Sequence, residues 1–229
     1  MRKCLVKRFL ITILICSSLT ISGQIIDTNE SKEGSLSNSN LRYYKKCTKQ
    51  ELKDDISFLK ECLEVFHPSL YKYSSKGKVD STMNDVRSSL VDSMSQSEFQ
   101  FSVATCLASA HCWHTRLDIN SEIFKDIESF GNYIPIKGVM VENKSVYVIS
   151  SVDSMINFGD KIISINSIPV SDMLNKFYAC LSADGYNKTV KTHSINKFFF
   201  YLYYTYIKCT NQYDIQLIRN DSLINISVN

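Results

Sequence analysis

Charge of one sign is scarce in this 229-residue chain, where 26 Lys and Arg stand against 23 Asp and Glu. Four of the basic residues, Arg2, Lys3, Lys7 and Arg8, fall within residues 1–23, which hold no acidic residue. The rest of the chain therefore carries 22 basic and 23 acidic groups, a net charge of −1. Nothing in that overall balance points to nucleic-acid binding. No apolar run is long enough for a comfortable membrane span, because residues 9–15 are few and polar sequence follows them. No serine sits in a recognisable nucleophile elbow, and there is no H-E-x-x-H pattern.

What the first residues do hold is the layout of a secretory signal peptide: a basic start, a short apolar run and small residues near Ser22 and Gly23. Residues 1–23 are read as that signal. Lipidation at Cys16 is the alternative, but Ile15 is bulky where such sites want a small side chain. Residues 24–40 are rich in Ser, Asn, Glu and Lys and read as a flexible linker. Six cysteines follow: Cys47, Cys62, Cys106, Cys112, Cys180 and Cys209. An exported chain can keep disulfides, and the spacing leaves the pairings open. Cys180 with Cys209 and Cys62 with Cys106 are candidate pairs; small buried hydrophobes are the other reading.

Residues 41–119 read as a helical N-terminal domain. Thr48 and Glu51 have capping-box spacing. Leu52, Ile56, Leu59, Leu63 and Phe66 then recur every three or four residues along one stripe. His67-Pro68 ends that helix, with His67 structural. A second helix is expected over 79–94, with Val79, Met83, Val86, Leu90 and Met94 inward. Ser95 and Glu98 repeat the capping-box spacing and open a third, through Ala110. His111, Cys112 and His114 invite a zinc reading, but zinc needs three or four ligands and no second His/Cys cluster is visible in the sequence. No metal or other cofactor is expected. Residues 115–119 read as a short strand.

Residues 130–229 change character. Apolar segments at 134–141 and 146–149 flank the Glu142-Asn143-Lys144 turn and form a hairpin. Phe158-Gly159-Asp160 is a tight turn, since Gly159 tolerates positive φ and Asp160 can bond its own turn. A strand at 161–165, the Asn166-Ser167 turn and a helix over 171–181 follow. Gly159, Asp160 and Asn166 are thus structural turn residues. A hairpin over 212–228 closes the order strand, strand, strand, helix, strand, strand. It predicts an α+β protein: the helical unit, then a small, partly open, PDZ-like β-barrel. Residues 184–208 interrupt it, with Phe198, Phe199, Phe200, Tyr201, Tyr203, Tyr204 and Tyr206 crowded together. A packed helix is the plain reading, a partner groove the alternative; only Lys197 and Lys208 are there to support nucleic-acid stacking.

From 48 to 229 these pieces resemble, in order, the front part of a serine peptidase of family S41, the C-terminal-processing and tricorn-like group. The resembling stretches are Phe66-His67-Pro68-Ser69-Leu70-Tyr71-Lys72-Tyr73, the cap leading to His111–Leu117, the hairpin around Pro135, residues 159–170, and Asp184-Gly185-Tyr186-Asn187. The resemblance implies a helical region and a PDZ-like domain ahead of an α/β catalytic core. It also implies that His114 is the general base in the tricorn-like branch. Trp113 stands where the family often has Gly, and Ser167 where Gly often follows Asn. The family's nucleophilic Ser lies in the core beyond the PDZ-like domain, so the chain as written is expected not to hydrolyse peptides alone.

The sequence thus predicts an exported peptide-binding module, in the periplasm, on the surface of a bacterium or secreted. Its partner would be an extended peptide or a protein C-terminus, held at a sheet edge, with unknown contact residues. A truncated or split peptidase joined by a separate catalytic domain is one alternative; a structural surface protein is the other. No nucleic-acid partner and no integral membrane segment after signal removal are expected.

Overall fold

The computed structural model describes residues 47–94, 96–117, 133–207 and 210–228. The signal expected over 1–23, the linker expected over 24–40, Cys16, Ser95 and Cys209 lie outside them. Helices and an antiparallel sheet make the protein α+β, and the chain divides into two compact units, Met1–Asp118 and Ile119–Asn229.

The first unit holds α1 (Lys49–Phe66), α2 (Lys76–Ser89) and α3 (Gln96–Ala108). The Thr48 hydroxyl accepts from the Glu51 amide at 3.3 Å and the Glu51 carboxylate accepts from the Thr48 amide at 3.0 Å, a reciprocal cap. Leu52, Ile56, Leu59 and Leu63 are buried, as the stripe requires, and meet Val79, Met83, Leu90, Phe99 and Leu107 in one core. Phe66 departs from the stripe: it is the last helical residue and stays exposed. His67 is extended, and its Nδ1 accepts from the Ser69 amide at 3.1 Å, a structural role. The second helix stops at Ser89, short of the expected Met94, because Leu90 turns extended. Met94 instead pairs with Cys47 across an isolated bridge. The strand expected from Thr115 does not form over the described residues 115–117. The Thr115 amide bonds to the Cys112 carbonyl at 3.0 Å and closes a turn there.

The second unit is built on β1 (Ile136–Glu142), β2 (Ser145–Ser151), β3 (Lys161–Ile165), β5 (Tyr213–Arg219) and β6 (Ser222–Val228) in that spatial order. The two-residue β4 (Ile168–Pro169) adds to β3. Every pairing is antiparallel. The sheet is not closed: β1 and β6 are outer strands that do not pair with each other among the described residues. Helix α4 (Val170–Cys180) packs on it through Met173, Leu174 and Phe177, and the aromatic segment is one long helix, α5 (Lys188–Tyr206). The sheet's buried face alternates as strands must, with Val146 and Val148 on β2 and Ile215 and Leu217 on β5.

Three tight turns carry this sheet. Asn143-Lys144, Asn166-Ser167 and Asn220-Asp221 all have positive φ at both positions, between 48° and 63°. Such left-handed pairs match the twist of the flanking strands and favour Asn-Gly. Ser167, at φ 63°, pays a Cβ penalty that Gly avoids. Ser167→Gly is expected to stabilise the protein by roughly 0.5–1 kcal/mol after the entropy cost of Gly, measured as a higher urea midpoint with an unchanged slope.

The candidate disulfides meet free thiols. Cys62 and Cys106 are both unbridged, as are Cys47, Cys112 and Cys180. Cys106 is fully buried in the helical core, and burial pushes its thiol up to about 12; Cys180 behaves alike. They act as small apolar side chains. The proposed partner of Cys180, Cys209, lies outside the described residues.

Candidate functional site

The turn around Gly159 is held by a charge from the end of β5, the strand paired with β3. Gly159 has φ +87°, a shape that L side chains rarely adopt, and its amide bonds to the Val148 carbonyl at 2.9 Å. Asp160 is buried. Its carboxylate accepts from Arg219 Nε at 2.7 Å, from a second Arg219 nitrogen at 2.7 Å and from the Asn157 amide at 2.8 Å. Arg219 also donates to the Met155 carbonyl at 2.7 Å. Arg219 thus ties the middle of the β2–β3 loop and its β3 end to the last residue of β5. The guanidinium holds the Asp160 carboxyl below the usual carboxylate range.

Asn166 does more than turn the chain. Its Oδ1 accepts from the Asp214 amide at 2.9 Å, while its Nδ2 donates to the Tyr203 hydroxyl and to Thr210 Oγ1, both at 3.3 Å. One amide therefore joins the β3–β4 turn, β5 and α5. Burial raises the Tyr203 hydroxyl to about 12, so it stays protonated.

The third feature is the outer edge of β1, alongside which α5 runs. The Val141 amide does not donate to a strand; it donates to the side-chain oxygen of Asn196 at 2.9 Å. Asn196 also brings its backbone oxygen within 3.9 Å of where a Cβ on Gly138 would stand. Tyr133, just before β1, meets Phe200 with ring centroids 6.2 Å apart. A sheet edge with outward amides is the device by which extended peptides are bound as an added strand.

His114 belongs to the other unit. It is exposed, in the turn that Thr115 closes. Trp113 is not in the left-handed backbone region, and its ring lies under the Arg116 guanidinium at 4.8 Å. Arg219 and Asn196 carry the geometry of the second unit but were not singled out from sequence. Arg219 lies in a turn-like Arg-Asn-Asp run, and Asn196 is one polar residue within an aromatic stretch, so neither has a local motif.

The two units hold helices in one and an open antiparallel sheet with packed helices in the other, an arrangement shared with solved structures. The chain resembles a crystal structure of a serine-to-alanine mutant of CPAF, with TM-score 0.53 and 15% identity, over 79% of this chain and 33% of that one. Mature CPAF complexed with lactacystin (TM-score 0.45, 13% identity) and mature CPAF (TM-score 0.43, 11% identity) align over 79% of this chain and 34% of theirs. The chain thus spans about a third of the CPAF chains it matches. No protein-family model matches the sequence, and no curated protein matches it.

Proposed function

We propose that the second unit is the PDZ-like, peptide-recognising part of an exported protein related to serine peptidases of family S41. It takes an extended peptide, a free C-terminus included, as an added strand on the outer edge of β1. The observation that carries this reading is the Val141 amide, which points away from the sheet and meets a side chain instead of a strand. The fold shared with part of the serine protease CPAF supports a setting in protein degradation. Localisation in the periplasm or at the cell surface is part of the proposal and rests on residues 1–23 alone.

Calorimetric titration with unstructured peptides, each free and amidated at its C-terminus, tests the reading. Heat with saturation at micromolar to millimolar peptide is expected, stronger for the free carboxylates. A folded sample that gives no heat with any peptide overturns it and favours a structural surface protein. In the enzymatic version, the exposed His114 is the general base, and the nucleophilic serine comes from a separate catalytic domain or from sequence outside these 229 residues. Hydrolysis of an unfolded substrate on adding such a domain, lost in His114→Ala, supports that version; undiminished hydrolysis by the variant sinks it.

A further inference from the structure

The long helix α5 is two limbs in one. Phe198 has φ −121° and ψ 27°, outside helical geometry, and breaks the helix between Lys197 and Phe199. Beyond the break the helix is core: Phe199, Tyr201, Leu202, Tyr203 and Tyr206 are all buried, and Phe199 meets Phe177 edge-on at 6.0 Å. Before it, residues 188–197 are held far more lightly. Lys188, Thr189, His193 and Lys197 are exposed, and Ile195 is the one fully buried apolar side chain. The other ties are polar: the Tyr178 hydroxyl with Thr192 Oγ1 at 2.7 Å, and Lys191 Nζ donating to the Tyr178 carbonyl at 2.8 Å. Asn196, on this light limb, is the residue that caps the Val141 amide of β1.

We infer that residues 188–197 are a built-in strap over the β1 edge, which swings about Phe198 and must leave before a peptide strand can add. The inference rests on the peptide reading above and supplies its regulation. A backbone amide is satisfied by one acceptor at a time along the edge, so the Asn196 oxygen and an incoming peptide carbonyl compete for Val141. The limb behind the break keeps its aromatic side chains in the core, so the strap can open without unfolding the unit. The apparent affinity for peptide is then the intrinsic affinity reduced by the fraction of molecules with the strap open.

Two measurements on the full chain test this separately. Amide hydrogen exchange without peptide is expected to show residues 190–196 exchanging several-fold faster than 201–206, with Asn196→Ala widening that gap. Equal exchange on both sides of Phe198 overturns the hinge whether or not peptides bind. Titration with the free-carboxylate peptides is expected to show about fivefold tighter binding by Asn196→Ala, the value of one hydrogen bond removed from the closed state. Tyr178→Phe, which loosens the strap from another point, is expected to act in the same direction by a smaller factor. Unchanged or weaker binding by both folded variants, where the parent protein binds, overturns the strap. No binding by parent or variants, with the exchange gap present, overturns the peptide reading and leaves the hinge standing.

Discussion

Phe177→Ala is expected to destabilise the sheet-bearing unit by about 3–5 kcal/mol, the range for deleting a fully buried aromatic ring from a packed core. Phe177 lies on α4 with no exposed surface, and its ring meets Phe199 of α5 at 6.0 Å and 89°. Part of the loss is transfer of the ring to water. Part is the cavity left between two helices that cannot close it, because each is also fixed to the sheet. The cost should show as a lower urea midpoint, with the slope conserved. Exchange of the Ile162 and Leu217 amides, on neighbouring strands, should accelerate together, since both then report opening of the same unit. A loss under about 1 kcal/mol would mean that α4 is not packed as described, since surface substitutions already reach half that.

Arg219→Ala is expected to open the β2–β3 loop, and to do so in a pH-dependent way. At neutral pH it leaves the Asp160 carboxylate buried, with the Asn157 amide as its remaining described donor. A buried charge that loses its partner is among the most damaging changes a fold can suffer. Exchange of the Gly159 amide, which bonds to Val148, should rise by about tenfold or more, given that hydrogen bonds to charged groups are the stronger kind. The pH dependence follows from the direction of the shift. Arg219 lowers the folded-state pKa of Asp160, so the pair's contribution is complete above the ordinary aspartate value and is lost as pH falls through the depressed one. In the variant, protonation relieves the stranded charge. The gap between parent and variant should therefore be widest near neutrality and shrink as pH drops below about 4. A gap that is constant from pH 7 to pH 3 would show that the carboxylate is not what Arg219 stabilises.

Both substitutions bear on the proposed peptide binding at the β1 edge. α4 and the core limb of α5 fix the base of the strap, while the Asp160–Arg219 pair fixes the loop that leads from β2 into β3. Neither residue touches the β1 edge itself, so a peptide-binding change in either variant should track lost stability. Asn196→Ala is expected to do the reverse and raise affinity while costing about 1 kcal/mol of stability, the hydrogen bond lost from the closed state. That opposition separates positioning by the core from competition at the edge.

Several features of this fold were written locally and could be read from the chain. The Thr48–Glu51 cap, the stripe from Leu52 to Leu63 and the Asn-led turns each involve residues within a few positions, where backbone geometry fixes who meets whom. The three helices of the first unit and the hairpins of the second followed from those signals, and so did the α+β class. What the tertiary structure alone decided lies at long range. Arg219 reaches Asp160 across 59 positions, and Asn196 reaches Val141 across 55. The open sheet, the free Cys62 and Cys106, and the break at Phe198 are of the same kind. A periodic pattern says which face of a segment is buried. It does not say which distant partner covers that face, because many partners satisfy the same apolar demand and only packing chooses one.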